Sequence, residues 1–347
     1  MGYLVTSLIS RKKYLAESIV IVDGLPGCGK TLVSQLISSL KRVELLSYDF
    51  NIEDVCALYA LEKITKDAAV NIIRMNVDLK LYNLMQGRDT NFRYSDLSSV
   101  FNNHETKKYF QRIFNEGDEK IPEIIAKTKP ILNLATHNKL SYSEPIIEAL
   151  KERCTIVEVV RHPIYMINQQ TLNFERLLNN ARNFDVQMNY LENEIPYFTK
   201  GWEDQFLQSN SIEKSIFFIQ KLTNRNEKFK KSIKNNFNSK IITIPFEKIV
   251  LDPDPFLKKI ATSLNTDLSN DSVKIMKSQN IPRKKVNDGI DLAIYRRCGW
   301  KPLSGATEQE NINILFQEFA EEISSEASDV LSQLIEEYEE NYWNSTN

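Results

Sequence analysis

The stretch SIVIVDGLPGCGKTL at residues 18–32 decides the fold of this chain. Its first part, Ser18–Val22, is short, apolar and β-branched, which predicts a buried strand. Gly24–Thr31 fits the phosphate-binding pattern of a glycine, four residues and Gly-Lys-Thr, and apolar residues at helical spacing follow it. A strand, a glycine loop and a helix in this order surround phosphate oxygens with backbone N–H groups and a helix N-terminus. The sequence therefore predicts a site for nucleotide phosphates.

The loop supplies most of the residues predicted to bind the nucleotide. Lys30 would reach the terminal phosphates and serve as a catalytic residue, and Thr31 would hold Mg²⁺. The alternative interpretation is a glycine-rich turn that carries a lysine by chance. The predicted nucleotide contacts within the loop are Gly24, Gly27, Cys28, Gly29, Lys30, Thr31 and Leu32.

The bulk composition is that of a soluble globular protein, with 42% hydrophobic and 26% charged residues. The chain contains no run of about 18 apolar residues, so no membrane span is expected. The N-terminus lacks the features of a secretory signal, and the cysteines at 28, 56, 154 and 298 show neither metal-binding nor disulfide spacing. A cytoplasmic location is the simplest expectation.

Charge is distributed unevenly along the chain. Residues 302–347 contain eleven acidic residues and no Lys or Arg, so residues 1–301 hold 44 basic against 35 acidic residues, a formal charge of +9. A net-basic body suits an anionic ligand such as an adenine nucleotide. The basic residues are too dispersed for a nucleic-acid-binding surface, so no nucleic-acid partner is expected.

Near-continuous apolar runs predict a doubly wound α/β fold around a mainly parallel five-stranded sheet covered on both faces. Ligands of such sheets bind beyond the carboxyl ends of the strands. This rule groups Gly24, Asp49, His137 and Arg161 on one edge of the sheet, because each follows a candidate strand. The candidate strands are Ser18–Val22, Val43–Ser47, Ile131–Thr136, Thr155–Val160 and Lys240–Pro245.

The intervals between strands suggest one core domain with additions. Residues 1–301 are predicted to form a P-loop transferase domain, with helical insertions at about 51–129 and 174–210. Residues 302–347 carry apolar residues at helical spacing on an acidic background, which predicts an amphipathic helical extension that packs on the core. Its acidic face would be solvated surface or, alternatively, a surface for a partner or a second copy.

Beyond the loop, the order of motifs from Ser18 to Lys301 resembles the sulfotransferase family. The resemblance implies that the loop binds the 5′-phosphosulfate of 3′-phosphoadenosine-5′-phosphosulfate (PAPS), and that His137 takes the proton of the acceptor. It also implies that Arg161 binds the 3′-phosphate and that Arg296 and Arg297 belong to a basic loop that closes over the nucleotide. The segments that carry the resemblance are Gly24–Leu32, Ala135-Thr136-His137, Val159–Pro163, Ile244–Pro253 and Tyr295–Lys301.

Three positions depart from the pattern of that family. Gly27 stands where many sulfotransferases have a basic residue, and Gln169 stands where a serine usually contributes a second 3′-phosphate contact. The Gln169 amide could still donate a hydrogen bond. Lys30 completes a nucleoside-triphosphatase (Walker A) loop of the kinase type, which favours ATP with Mg²⁺.

Two residues compete for the role of proton acceptor. Asp49 at the end of the second strand could act as base or Mg²⁺ ligand in a kinase, or could merely cap the helix that follows. His137 suits a general base in a sulfotransferase, or could be structural. Arg161 could likewise form only a surface salt bridge.

We therefore expect a P-loop transferase that moves a phosphoryl group from ATP to a hydroxyl of a small molecule or glycan. The alternatives are a PAPS-dependent sulfotransferase that needs no metal, and a nucleotide-gated binding or regulatory protein. The sequence does not indicate the acceptor or the oligomeric state.

Overall fold

The computed structural model describes residues 8–96, 98–115, 117–178, 180–233, 240–289 and 306–344. Its centre is a five-stranded sheet in the order β2-β3-β1-β4-β7, in which every neighbouring pair is parallel. The predicted α/β class with a parallel sheet is confirmed. The strands are β1 (Ser18–Asp23), β2 (Ser47–Tyr48), β3 (Ile131–Ala135), β4 (Cys154–Val160) and β7 (Lys240–Pro245), and a separate antiparallel hairpin comprises β5 (Gln187–Tyr190) and β6 (Asn193–Pro196).

Helices lie between and after these strands. They are α1 (Lys30–Ser38), α2 (Phe50–Ala60), α3 (Lys66–Met85), α4 (Thr106–Arg112), α5 (Ile121–Thr128), α6 (Glu144–Leu150), α7 (Ile164–Leu177), α8 (Glu203–Gln208), α9 (Ser211–Ile233), α10 (Phe246–Leu251), α11 (Asp254–Ser263), α12 (Ser272–Ser278), α13 (Glu308–Ala320) and α14 (Ser325–Tyr338).

The sheet is buried on both faces, as the apolar runs predict. Alternate residues of the central strand β1 belong to different hydrophobic clusters. Val20 belongs to the cluster that includes residues of α1, α7 and α9, and Ile21 belongs to the cluster that includes residues of α2, α3 and α6. The carboxyl ends of β1, β2, β3 and β4 therefore meet at one edge between two layers of helices. Gly24, Asp49, His137 and Arg161 all lie in the segments just beyond those ends.

The second strand needs a correction, because the predicted strand Val43–Ser47 is reduced to Ser47–Tyr48 and an isolated bridge between Val43 and Ile131. Side chains from α4 interrupt the ladder. The Leu45 backbone N–H donates to the hydroxyl of Tyr109 at 2.6 Å. Glu44 is buried in an ion pair with Arg112, at 2.8 Å.

The regions outside the sheet are only partly helical. Helices α2 to α5 occupy the interval between β2 and β3, but the interval 174–210, predicted as a helical insertion, contains the β5–β6 hairpin as well as α8 and the end of α7. The acidic helices α13 and α14 pack against α7 and α9, respectively. Within the described residues, no helix has the length and apolar character needed to cross a membrane.

Candidate active site

The glycine loop after β1 has the backbone shape that its glycines allow. Gly27 and Gly29 both have positive φ angles, 86° and 91°. A Cβ atom on Gly29 would lie 2.3 Å from ring atoms of Phe246, so only glycine fits there. The tight approach of Phe246 from the end of β7 therefore fixes the loop against the sheet.

The loop leads directly into the N-terminus of α1. Gly29 is the N-cap and provides no side-chain cap, and the first turn of the helix contains no acidic residue. The first N–H groups of any helix lack intrahelical acceptors. Together with the positive end of the helix dipole, these groups can bind an anion.

Lys30 lies within this loop and is buried, with 7% of its surface exposed. Its Nζ donates to the Gly24 carbonyl at 3.0 Å. The carboxylates of Asp23 and Glu53 interact electrostatically with its charge. An incoming phosphate or sulfate oxygen can take the place of the Gly24 carbonyl as acceptor, because the ammonium group has three rotatable donors.

Asp23 ends β1 and supports the backbone around the loop. Its carboxylate accepts from the N–H of Gly24 at 2.6 Å and from the N–H of Lys139 at 2.7 Å. Burial raises its pKa, although the charge of Lys30 and the Gly24 hydrogen bond oppose this shift. Asp23 thus ties the phosphate loop to the segment that carries His137.

The residues predicted to hold Mg²⁺ are Thr31 and Asp49, and Asp49 accepts a hydrogen bond from the N–H of Ile52. The Thr31 side chain hydrogen-bonds with the Tyr48 hydroxyl. Two carboxylates that the sequence did not single out, Asp23 and Glu53, are also engaged by neighbouring donors. Among the described residues, no group of three or more His, Cys, Asp or Glu side chains is arranged to hold a metal ion. A Mg²⁺ ion at this loop would take its ligands from Thr31, the nucleotide phosphates and water.

Asp49 has the capping role that the sequence left open. Its side chain accepts from the N–H of Ile52 at 3.3 Å, at the N-terminus of α2. Burial raises the pKa of Asp49, and its charged neighbours are Lys80 and Asp89. The described contacts of Asp49 are therefore with α2, with Lys80 on α3 and with Asp89 beyond α3, rather than with the glycine loop.

His137 is held by a buried carboxylate. Its Nδ1 lies 2.9 Å from Glu53 Oε1, and its ring stacks between Tyr48 and Phe50 at centroid distances of 5.4 and 5.8 Å. Burial disfavours the charged form of Glu53, but His137 and Lys139 outweigh this effect and lower its pKa. An ionised carboxylate can only accept, so Nδ1 carries the hydrogen and Nε2 is the basic nitrogen.

Lys139 belongs to the same network, because its ammonium group also contacts the Glu53 carboxylate. Its Nζ lies 3.4 Å from Glu53 Oε2 and donates to the Tyr197 hydroxyl at 2.8 Å. Only 3% of its surface is exposed, so its charge balances Glu53 in a region of low dielectric. The Glu53 carboxylate can therefore remain ionised while it orients His137.

His137 opens onto a cavity of about 260 Å³ that also borders the glycine loop at Pro26. About a third of the His137 side chain is exposed there, 35%. The remaining wall combines aromatic and aliphatic side chains with polar ones, among them Gln170, Arg182 and Asp185, and it is contributed mainly by α7 and the 174–210 interval. The cavity thus joins a basic imidazole nitrogen to the phosphate loop. Its apolar lining includes Phe50, Phe174, Leu177, Phe184, Phe198 and Phe218.

Arg161 lies beside the loop and is buried rather than part of a surface salt bridge. Its Nη1 donates to the Gly27 carbonyl at 2.9 Å, and its guanidinium lies 4.5 Å from the centre of the Phe246 ring. Its Nε is 3.9 Å from Glu247 Oε1. A second cavity, of about 370 Å³, begins at Arg161 and Gly24 and extends to the C-terminal helix α14.

The other predicted contacts divide into three groups. Gln169 lies on α7 with its Oε1 within 3.5 Å of the position that a Cβ of Gly27 would occupy, so it borders the loop. Cys28 and Leu32 are buried in the hydrophobic core and contribute to the loop through their backbone. Arg296 and Arg297 lie outside the described residues.

Sequence reasoning missed Asp23, Glu53 and Lys139, although each belongs to the network around the loop. Asp23 closes a strand that is otherwise apolar, so the pattern gives no separate signal for it. Lys139 follows His137 by two residues, so its position was a usable signal. Glu53 gave no local signal, since it is separated from His137 by 84 residues.

No protein-family model matches the chain, and no curated protein matches it. Among solved structures, it is similar to the sulfotransferase domain of the Synechococcus PCC 7002 olefin synthase, with 12% identity, 91% of this chain and 98% of that chain covered, and a TM-score of 0.40. It is also similar to sulfotransferase STF9 from Mycobacterium avium, with 12% identity, 89% and 77% coverage and a TM-score of 0.38. Mouse sulfotransferase SULT7A1 complexed with PAP gives 14% identity, 91% and 89% coverage and a TM-score of 0.34. Likenesses of this strength concern the architecture of the chain and not its chemistry.

Proposed function

We propose that this protein is a sulfotransferase that moves a sulfuryl group from PAPS to a hydroxyl group of an acceptor. The observation that carries this proposal is the pairing of His137 with Glu53 at a cavity that borders the glycine loop. A histidine oriented by a carboxylate, with its second nitrogen directed to substrate, is suited to take the proton of a hydroxyl nucleophile.

The proposed reaction needs only the donor, the acceptor and a base, and every bond and proton in it is accounted for. The acceptor oxygen forms a bond to sulfur, the bond from sulfur to the bridging phosphate oxygen breaks, and the electron pair leaves with 3′-phosphoadenosine-5′-phosphate (PAP). His137 Nε2 takes the hydroxyl proton, and Glu53 stabilises the resulting imidazolium at 2.9 Å. Lys30 and the first N–H groups of α1 would bind the sulfate and 5′-phosphate oxygens.

Arg161 supports the same nucleotide. It lies beside the loop, against Phe246, where it can bind a second anionic group of the donor. In this proposal that group is the 3′-phosphate, and Gln169 is its neighbouring amide donor, as the resemblance to the family implies.

Phosphoryl transfer from ATP is the second candidate, and Lys30 followed by Thr31 is the observation that favours it. We prefer the sulfuryl donor because Asp49 caps α2 and the Thr31 hydroxyl is bonded to Tyr48. The His137–Glu53 pair, by contrast, is arranged for proton transfer without a rearrangement of either residue.

A transfer assay tests the proposal. The purified protein is incubated with ³⁵S-labelled PAPS, a chelator and a mixture of simple phenols and alcohols, and labelled products are separated. Labelled sulfate ester that depends on His137 is expected. Product formation only from ATP with Mg²⁺ would favour the second candidate, and no product from either donor would favour a binding protein.

A further inference from the structure

A second concentration of charge lies at the edge of the sheet opposite the glycine loop. A cavity of about 340 Å³ is bounded there by residues 11–14, which precede β1, and by Lys151–Arg153, which lead directly into β4. Because β1 and β4 are parallel, both segments lie at the amino ends of their strands, whereas the glycine loop and Arg161 follow the carboxyl ends. The cavity is therefore separate from the candidate active site.

The lining of this cavity is strongly basic. Among the described residues that border it, six are basic and one, Glu152, is acidic. Asp78 offsets one more charge because it pairs with Arg11 at 2.6 Å, so six positive groups face two negative ones, a formal excess of four. The six residues, which we call the basic surface, come from three segments that are far apart in the chain: Arg11, Lys12, Lys13, Arg74, Lys151 and Arg153.

Two guanidinium groups of the basic surface are held in place. Arg153 donates to the Ala16 carbonyl at 2.6 Å, and its guanidinium lies 4.0 Å from the centre of the Tyr14 ring. Arg74 donates to the Ala149 carbonyl at 3.1 Å. These acceptors are neutral carbonyl groups, so the bonds fix the positive charges without cancelling them.

The other free charges of the basic surface are exposed ammonium groups. Lys12, Lys13 and Lys151 are all exposed, and each ends in a hydrated point charge on a flexible stem. Such groups do not enclose a single ion. They suit an extended layer of negative charge, which a run of lysines can follow.

Exposed aliphatic side chains adjoin the basic surface. Leu8 and Ile9 are 77% and 53% exposed. Ile9 lies close to Arg11, because the Asn71 side chain donates to the Ile9 carbonyl at 2.6 Å and accepts from the Arg11 N–H at 2.6 Å. Aliphatic groups beside cations gain from the boundary between lipid headgroups and acyl chains, whereas a soluble phosphate or the phosphate backbone of a nucleic acid offers them no apolar contact.

We infer that the basic surface binds the anionic surface of a lipid membrane. Its three exposed lysines pair with headgroup phosphates, while Leu8 and Ile9 enter the headgroup layer. Since the basic surface and the glycine loop lie at opposite edges of the sheet, the active-site cavity stays open to the aqueous phase. Peripheral binding of this kind is independent of the group that the active site transfers.

Co-sedimentation with lipid vesicles tests this surface. Vesicles of phosphatidylcholine alone are compared with vesicles in which about a third of the lipid is anionic phosphatidylglycerol. The variants are Lys12→Ala/Lys13→Ala and Lys151→Ala. Lys258→Ala/Lys259→Ala is the matched control, because these two lysines are also adjacent and exposed but lie on α11, outside the cavity lining. Glycerol 3-phosphate and a DNA duplex are titrated separately, and melting temperatures are recorded for every variant.

The wild type should bind the anionic vesicles at least about tenfold more tightly than the neutral ones, and less tightly as salt is added. One ammonium group near an anionic leaflet accounts for about fivefold in affinity, so Lys151→Ala should weaken binding by about that factor and Lys12→Ala/Lys13→Ala by about 30-fold. A further variant, Ile9→Ser, should weaken binding by about 3- to 10-fold without changing its salt dependence, because it removes apolar contact and no charge.

The control Lys258→Ala/Lys259→Ala should stay within about twofold of the wild type, because charges far from the contact are screened. All lysine variants should melt at the wild-type temperature, since the replaced side chains are exposed. Wild-type affinity in Lys12→Ala/Lys13→Ala would overturn the inference, as would equal binding to neutral and anionic vesicles. Binding of glycerol 3-phosphate as tight as that of the vesicles would assign the surface to a soluble anion, and tighter binding of the DNA duplex would assign it to a nucleic acid. Either result would also overturn the inference.

Discussion

The Nδ1 atom of His137 lies 2.9 Å from Oε1 of Glu53, a contact that joins residues 84 positions apart in the chain. Glu53 is buried on α2, whereas the His137 ring is partly exposed. The carboxylate thus orients the ring through Nδ1, while Nε2 on the other edge of the ring can meet substrate. In the proposed reaction, Glu53 is a positioning residue and His137 is the catalytic base.

The first prediction concerns this pair. His137→Ala should lower kcat by about 10²- to 10⁴-fold, the usual contribution of a positioned base. Glu53→Gln should lower kcat by about 10- to 10²-fold, comparable to the loss of other orienting carboxylates, with little change in PAP affinity. Steady-state kinetics and calorimetry measure the two quantities separately.

Asp54→Asn is the control for Glu53→Gln, because it removes a carboxylate from the same turn of α2 without touching the hydrogen bond to His137. It should retain nearly full activity. Full activity in Glu53→Gln as well would remove the positioning role.

Asp49 provides the second prediction. Asp49→Asn should leave turnover within about twofold, because asparagine caps helices as well as aspartate does. Asp49→Ala should lower the free energy of unfolding by about 1 kcal/mol through loss of the bond to the Ile52 N–H. Chemical denaturation and kinetics check both values. A large loss of turnover in Asp49→Asn would restore the kinase interpretation.

The third prediction separates backbone strain from steric contact in the glycine loop. Gly29 and Gly201 both have φ angles of 91°, but a Cβ would meet Phe246 at Gly29 and nothing within 4 Å at Gly201. Gly201→Ala should cost about 1–2 kcal/mol of stability for the left-handed backbone alone. Gly29→Ala should cost about 1–3 kcal/mol more through overpacking.

Nucleotide titrations should show that Gly29→Ala also loses PAP binding, while Gly201→Ala keeps it. Equal stabilities and equal affinities in the two variants would mean that the contact with Phe246 does not shape the loop.

Part of this arrangement follows directly from the sequence and part does not. The strand, the glycine loop and α1 are contiguous from Ser18 to Ser38, so local patterns were sufficient to predict them. The alignment of parallel strand ends then brought Gly24, His137 and Arg161 to one edge. These predictions depend on chain order and on the apolar runs, both of which the sequence contains.

The contacts that the sequence does not reveal join side chains that are far apart in the chain. Tyr109 bonds to the Leu45 N–H and shortens β2, although 64 residues separate them. Glu53 reaches His137 only once α2 has packed against α3 and α6 in the fold. No local pattern encodes either contact, because both arise from how the helices pack on the sheet.

The fourth prediction concerns His162, which is fully buried among Tyr165, Tyr338 and Trp343. Burial, with a smaller contribution from Arg161, lowers its pKa from 6.5 to about 3. Between these values the unfolded chain binds a proton at this position and the folded chain does not. The free energy of unfolding should therefore fall as the pH falls from 6.5 towards 3.

This residue alone should contribute a slope of up to about 1.4 kcal/mol per pH unit in that window. His162→Phe should reduce the slope by that amount while the protein remains folded, because the site is aromatic. Urea denaturation at several pH values measures it. Identical slopes in both proteins would show that His162 titrates alike in the folded and unfolded states.

The identity of the donor nucleotide is the central claim, and calorimetry tests it most directly. PAP in the presence of a chelator and ATP with Mg²⁺ are each titrated into the wild type and into Lys30→Ala. The account predicts that PAP binds without metal, and more tightly than ATP with Mg²⁺. In Lys30→Ala, PAP affinity should fall by about 30- to 10³-fold, as expected for the loss of a buried charged contact. Tight binding of ATP that requires Mg²⁺, with no binding of PAP, would contradict the account.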